Sequence, residues 1–228
     1  MVLVCVAACG DNSPKSQAEL AQAHGTAIKA KLDVIKAAGA AGRGASDDPS
    51  VKTVPGLNFD TTSTGPFNAI ATMYDDTQDP TSDSTADRFT GMQDYVRGAK
   101  ALVGVKMAGP LSLLNDTEIG RVESAKYVLV VYPSTFTAPK ISGRGEFSAG
   151  AVHSVNVLVE LGTNKVLGSF AVDAESSDKV TAPKLDGHAG ADKAYQDYLS
   201  SDLRERWSKA IADGIAKRWP GAKTPYKF

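Results

Sequence analysis

Residues 127–132 read YVLVVY, an unbroken apolar run near the middle of the chain. Such a run is typical of a strand that is buried on both faces. Apolar residues then alternate through 146–161, and Gly162-Thr163-Asn164-Lys165 fits a hairpin turn. The strand that returns from this turn carries on one face Val166, Phe170 and Val172. The pattern predicts an antiparallel meander of three or more strands.

Helical patterns flank the predicted meander in the sequence. Between Asp192 and Trp219, apolar residues recur at a constant spacing of four: Tyr195, Leu199, Leu203, Trp207, Ile211, Ile215 and Trp219. Near the other end, Ser16-Gln17-Ala18-Glu19 has the form of a capping box and begins a helix over 16–38. The apolar stripe of that helix is Leu20, His24, Ile28, Leu32 and Ile35. We therefore predict the α+β class, with the meander packed against a long C-terminal helix and an N-terminal helix.

Shorter elements are predicted between the first helix and the meander. Residues 39–66 are rich in Gly, Ala, Asp, Pro, Ser and Thr, which predicts a loop or flexible connector. A strand is expected over 68–74. A short helix capped by Asp116 is expected to run through Ala125, with Ile119 and Val122 facing inward. Another helix is expected after Ser84, with an apolar face made of Phe89, Met92, Val96, Ala99 and Val103.

Composition limits the class of protein. A chain of 228 residues is long enough for one domain, which we place at 16–228. Apolar residues make up 42% and charged residues 22%, values that exclude a wholly disordered or fibrous chain. The formal net charge is -1, from 25 basic and 26 acidic side chains, and this balance argues against a nucleic-acid partner.

The N-terminus carries the most specific signal. Residues 2–8 are apolar or small, Cys9 follows, and the chain is polar from Asp11 onward. The segment Val6-Ala7-Ala8-Cys9 resembles the lipobox of bacterial lipoproteins, in which small residues precede the modified cysteine. The resemblance implies that 1–8 is the end of a signal peptide and that Cys9 becomes the first residue of the mature protein. It also implies lipidation of Cys9 by a diacylglycerol and by an acyl chain such as palmitate, with 9–15 as a tether.

The resemblance also implies a location. Acylated Cys9 would hold the protein to membrane lipid in the bacterial cell envelope, facing the periplasm. Gly10 stands where an aspartate is associated with retention at the inner membrane, and this favours the outer membrane. Because no basic residue precedes the apolar run, we expect a longer signal upstream of Met1 in the gene.

The two cysteines bear on the same question. They are Cys5 and Cys9, and a disulfide between them would close only a very short loop and would not stabilise the fold. Cys5 follows a valine rather than a small residue, so we expect it to leave with the signal. The alternative for residues 1–8 is a short buried strand of an intracellular protein.

Candidate ligands of a calcium ion come from one acidic segment. Its carboxylates are Asp75, Asp76, Asp79, Asp83 and Asp87. A calcium loop presents oxygens at alternate positions and ends on a bidentate Glu. Here Asp75, Asp79, Asp83 and Asp87 follow one another at intervals of four, Pro80 interrupts the segment and no Glu is present. We interpret the segment 75–87 as a solvated loop and predict no metal site.

The histidines and hydroxyls give no recognisable catalytic pattern. His24, His153 and His188 lack metal-ligand spacing, and we interpret them as structural, with His153 the first to test. Pro133-Ser134-Thr135 lacks the glycines of a nucleophile elbow. Four further features could suggest an anion or phosphate site, namely the glycines of 39–44, Arg144, Lys209 and the basic residues 217–223. We predict no ligand at any of them, and the basic residues near the end of the last helix suit the negative end of the helix dipole.

These observations predict a binding or scaffolding module of the envelope, with no catalytic residue and no cofactor. Its partner would be an envelope protein or a small ligand. One alternative is an envelope enzyme, for example a hydrolase, with a site assembled from dispersed Asp, His and Arg residues. A deep polar cleft containing His153 or the segment 75–87 would favour that enzyme. A second alternative is a soluble intracellular α+β module.

Overall fold

The computed structural model describes residues 15–62, 66–78, 95–105, 113–143, 146–177 and 191–225. Within these ranges the chain forms five helices and six strands. In chain order they are α1 (Gln17–Gly42), β1 (Ala69–Met73), α2 (Tyr74–Gln78), α3 (Tyr95–Leu102), α4 (Asp116–Ser124), β2 (Tyr127–Thr137), β3 (Lys140–Gly143), β4 (Glu146–Ser148), β5 (Ala151–Glu160), β6 (Lys165–Glu175) and α5 (Ala191–Arg218).

One four-stranded sheet, in the order β1-β2-β5-β6, organises the fold. Strands β2, β5 and β6 are antiparallel neighbours, which confirms the predicted meander. Strand β1 adds a parallel edge next to β2. The small β3–β4 hairpin lies between β2 and β5 in the sequence and forms a sheet of its own.

Both faces of the sheet are covered by helices. Successive residues of a strand point to opposite faces. In β2, Val128 and Val130 therefore pack with α1, α3 and α4, whereas Leu129 and Val131 pack with α5. All four side chains are fully buried. The prediction that YVLVVY is buried on both faces is confirmed, and the α+β class with both helices on the meander is confirmed with it.

Helix α5 buries the stripe that its sequence predicts. Leu203, Trp207, Ile211 and Ile215 are all buried against the sheet. Trp207 also donates from Nε1 to Ser154 Oγ at 3.0 Å, so the polar atom of this large ring is satisfied inside the core. The stripe therefore fixes the rotation of α5 on the sheet.

Helix α1 begins as predicted and ends later than predicted. The Ser16 and Glu19 side chains each accept from the other's backbone amide, forming the capping box. The helix continues to Gly42 instead of ending at 38. Gly39 and Gly42 are buried, because Tyr132 packs onto this turn and donates to the carbonyl of Gly39 at 2.5 Å. Arg43 is the C-cap, and Gly44 follows it with a φ of 82°, a left-handed conformation that suits glycine.

The connector predicted at 39–66 therefore begins after Gly42. Residues 46–52, which we call the strap, run beside the outer edge of β6. Ser169 donates from Oγ to the carbonyl of Ser46 at 2.5 Å, and the amide of Ala171 donates to Asp47 at 3.2 Å. Arg218 Nη2 lies 3.1 Å from the same Asp47 oxygen and joins the strap to the end of α5.

Beyond the strap, the chain enters the core on the α5 side of the sheet. Leu57 and Phe59 are buried there. The amide of Phe59 donates to the carbonyl of Lys223 at 2.8 Å, and Asn58 forms an isolated parallel bridge with Lys223. This stretch consequently ties the chain before β1 to the chain after α5.

Two strand boundaries differ from the predictions. The strand expected over 146–161 is divided into β4 and β5. Between them lies Gly150, where a Cβ would be 2.5 Å from Pro139 Cδ, so the position has no room for a side chain. Strand β2 runs on through Pro133, with an irregular register between Pro133 and Thr135.

The face predicted for β6 is correct for Phe170 and Val172 and wrong for Val166, which is 39% exposed. The register between β5 and β6 shifts here: Leu158 pairs with Gly168 and Val159 pairs with Val166. Leu167 is the extra residue of this bulge, and it turns Val166 away from the core face.

The remaining helices follow the predictions in part. In α4, Ile119 and Val122 are buried as predicted, but the cap is Asn115, with Glu118 completing its capping box. Of the helix predicted after Ser84, the structure describes α3, in which Val96 and Ala99 are buried. Ser84, Phe89 and Met92 lie outside the described residues. Residues 75–78, predicted as the start of a loop, belong to α2.

Candidate functional site

Several predicted site residues lie outside the described part of the chain. Cys9 is one, together with the rest of the predicted signal and tether through residue 14. The others are Asp79, Asp83, Asp87, Arg144 and His188. The structure describes His24, His153, Ser134 and Asp75, and of these four it records a contact only between Ser134 and His153.

His24 lies on α1 and is directed toward α4. Its Nδ1 is 3.0 Å from Glu123 Oε1, and its Nε2 is 3.0 Å from Asp116 Oδ1. Lys15 Nζ lies 3.0 Å from the same Asp116 oxygen. The His24 side chain is 22% exposed, so the group sits at the rim of the interface between the two helices. We call Lys15, His24, Asp116 and Glu123 the His24 cluster.

Hydrogen bonds with carboxylates dominate the electrostatics of this cluster. The bond with Glu123, followed by the bond with Asp116, raises the pKa of His24 above its usual 6.5, because both favour the imidazolium. Lys15 and His24 in turn lower the pKa of Asp116. The arrangement agrees with the structural role predicted for His24.

His153 and Asp173 form a pair across β5 and β6. The distance from His153 Nδ1 to Asp173 Oδ1 is 2.6 Å, and the two residues are direct cross-strand neighbours. The side chains are 38% and 81% exposed, so the pair is in contact with solvent. An imidazole held by a carboxylate could act as a general base.

Ser134, whose hydroxyl was considered above as a candidate nucleophile, lies beside this pair. Its Oγ donates to the backbone carbonyl of His153 at 3.4 Å. A serine nucleophile requires a hydrogen bond with the imidazole itself. The described contact of Ser134 is therefore one that holds the irregular part of β2 against β5.

The described part of the chain contains no candidate metal site. Within the ranges that the structure describes, no three His, Cys, Asp or Glu residues are grouped so that they could hold a metal ion. Asp75 lies in α2, directly after Tyr74 in the sequence, and is half-buried. Asp76 follows it in α2, and Asp79, Asp83 and Asp87 lie outside the described residues.

A cavity of about 340 Å³ lies where α1 begins. It is lined by Lys15, Gln17, Leu20, Leu113, Leu114, Asn115, Asp116 and Thr117. Neither His153 nor Asp75 lines it. A cleft that contained His153 or the segment 75–87 would have favoured the envelope enzyme, and this cavity is not such a cleft. Its lining joins the first turns of α1 and α4.

Tyr132 organises a contact that the sequence analysis missed. Its ring stacks on Tyr74 with centroids 4.9 Å apart, and the Arg43 guanidinium lies 5.8 Å from the Tyr74 centroid. Burial raises the pKa of the Tyr132 hydroxyl well above its usual range. The available signal was the pair Gly39 and Gly42, since two glycines three residues apart leave room for a ring against a helix.

Comparisons of the chain with models of protein families, with curated proteins and with solved structures found no match in any of the three. Among the helices of the described ranges, none is both long enough and apolar enough to cross a bilayer.

Proposed function

We propose that the chain is a bacterial lipoprotein, anchored through acylated Cys9 and facing the periplasm, with the outer membrane as its favoured location. Its domain from residue 16 onward serves as a binding or scaffolding module. The observation that carries this proposal is Val6-Ala7-Ala8-Cys9, followed at once by polar residues. The first helix begins at Gln17, which leaves only a short tether after Cys9.

The anchor is strong enough to hold the protein at a membrane. Each buried methylene contributes about 0.8 kcal/mol, so one acyl chain binds reversibly, whereas two or more hold a protein stably. A diacylglycerol on the thiol of Cys9 already supplies two chains. The domain then needs no spanning segment of its own.

The tether limits how far the start of α1 can lie from the bilayer. Lys15 pairs with Asp116 beside the first turn of α1. Helix α1 has 26 residues, which at about 1.5 Å per residue gives a length of roughly 39 Å. Anchoring at Cys9 therefore keeps the start of α1 within reach of the bilayer, and the turn at Gly39–Gly42 lies at the other end of this helix.

Labelling with radioactive palmitate tests the anchor. The protein is expressed from its complete gene in its own host, as wild type, Cys9→Ala and Cys5→Ala. We expect wild type and Cys5→Ala to be labelled and Cys9→Ala to lose the label, because Cys5 lacks a small residue before it. Label that persists in Cys9→Ala, or that is missing from wild type, would refute the proposal.

An envelope enzyme is the second candidate, and the His153–Asp173 pair favours it. The 2.6 Å contact is the arrangement by which a carboxylate orients a basic imidazole. Wild type, His153→Gln and Asp173→Asn can be compared on ester, peptide and phosphoester substrates, with His24→Gln as the control. Hydrolysis that both pair variants lose and the control keeps would favour the enzyme over the binding module.

Cell fractionation addresses the intracellular alternative. A lipoprotein stays with the membrane fraction in high salt and is released by detergent. Recovery in the soluble cytoplasmic fraction, with residues 1–8 still attached, would favour the intracellular module instead.

A further inference from the structure

The two nitrogens of His24 face two carboxylates, and only one protonation state satisfies both. An imidazolium donates from Nδ1 and from Nε2, whereas a neutral imidazole donates from one nitrogen and presents a lone pair at the other. With Glu123 Oε1 and Asp116 Oδ1 each 3.0 Å away, the neutral ring would leave a lone pair facing a carboxylate. Loss of one proton thus replaces a charged hydrogen bond with a repulsive contact.

The position of Glu123 in α4 makes a nearby positive charge more stabilising. It lies in the last turn of α4, where the partial negative charge of the helix end disfavours a carboxylate. His24 is the cation that contacts it directly. Lys31, also on α1, acts on Glu123 through its charge while its Nζ donates to the carbonyl of Ala125 at 2.7 Å.

The remaining member of the cluster lies where the predicted tether meets the domain. Lys15 pairs with Asp116, so the start of the described chain is connected through Asp116 to His24. The charges that act on His24 are those of Glu123 and Asp116, while Lys15 and Lys31 act on these carboxylates. A change of charge at His24 therefore reaches α1, α4 and residue 15 together.

We propose that His24 is a pH-sensitive clasp that holds the N-terminal half of α1 to α4 when protonated and releases it when neutral. The clasp stands on the described contacts alone and does not depend on the lipid anchor. In the released state the first turns of α1 are held less tightly to α4.

The direction of the pH effect follows from linkage. The folded protein holds the pKa of His24 above the 6.5 of an unfolded chain, so folding is favoured by the protonated form. The stabilisation is complete below pH 6.5 and is lost as the pH rises through the folded pKa. Each pKa unit corresponds to about a tenfold change in the unfolding equilibrium constant.

NMR titration and urea unfolding of wild type and His24→Gln between about pH 5.5 and 8.5 test the clasp. We expect the His24 ring of wild type to titrate above 6.5. We also expect His24→Gln to raise the unfolding constant several-fold more at pH 5.5 than at pH 8.5. A ring that titrates at or below 6.5, or a pH-independent effect of His24→Gln, would overturn the proposal.

Two further measurements separate the clasp from a general loss of stability. In Glu123→Gln the His24 pKa should fall toward 6.5, since its strongest partner is removed while the helix remains. In wild type, amide protection factors over 17–28 should fall between pH 5.5 and 8.5, and those of 203–215 in α5 should not. Equal protection of 17–28 at both pH values would contradict the release of α1.

Discussion

Gly42 and Gly25 occupy the same helix but have opposite surroundings. A Cβ on Gly42 would lie 2.5 Å from the hydroxyl oxygen of Tyr132 and 3.2 Å from Val157 Cγ1. A Cβ on Gly25 would have no heavy atom within 4 Å. Gly42 is therefore a packing residue, and Gly25 only lowers the helix propensity of α1.

We predict that Gly42→Ala lowers the free energy of unfolding by about 1–3 kcal/mol, because Tyr132 has to move. Gly25→Ala should raise it by up to about 1 kcal/mol, because alanine favours the helix. Urea unfolding followed by tryptophan fluorescence measures both. Effects of the same sign in the two variants would contradict the packing role of Gly42.

Among the helices, α1 and α4 begin with the same device. Each has a capping box, formed by Ser16 with Glu19 in α1 and by Asn115 with Glu118 in α4. These two turns line the cavity and hold two members of the His24 cluster, Lys15 and Asp116. The caps therefore set the positions of the charged groups as well as the ends of the helices.

We predict that Ser16→Ala and Asn115→Ala each lower the free energy of unfolding by about 1 kcal/mol, since the side chain that satisfies an amide is lost. Thr117→Ala is the control, because Thr117 is exposed in the first turn of α4. Thermal or urea unfolding measures the three variants. A cost at Thr117 equal to that at Asn115 would show that the cap is not the cause.

Elements with a long regular pattern could be predicted, and those set by distant contacts could not. One spacing repeats over seven positions in and just after α5, and it correctly predicts the six buried residues Leu199, Leu203, Trp207, Ile211, Ile215 and Trp219. The first position, Tyr195, is half-buried. The cap of α4 was predicted one residue too late, because Asn115 and Asp116 are both good caps and only the fold decides between them. The partners of His24 lie 92 and 99 residues away, and no local spacing could reveal them.

For the whole molecule, a single sheet carries two apolar layers. One contains Ile28 of α1 and the other contains Leu203 of α5, and the two layers share the strands between them. Both tryptophans, Trp207 and Trp219, lie in the α5 layer. Loss of either layer would expose one face of the strands that both layers share. Because the strands need both faces covered, the two layers are coupled.

We predict that Ile28→Ala and Leu203→Ala each lower the free energy of unfolding by about 2–5 kcal/mol. The double variant should lose the sum to within about 0.5 kcal/mol, since the two side chains lie on opposite faces. Circular dichroism reports the whole chain and tryptophan fluorescence reports the α5 layer, and the two midpoints should coincide. Separate midpoints in any variant would show that the layers unfold independently.

The strap has a consequence for how copies of this protein meet one another. An open sheet margin invites a foreign strand to add to it, which is the first step toward fibres. Here the margin of β6 is partly occupied by the chain's own residues 46–48, and on the opposite margin all five residues of β1 are buried. Molecules crowded side by side therefore meet edges of this sheet that are already partly covered, which leaves less backbone free to pair with a neighbour.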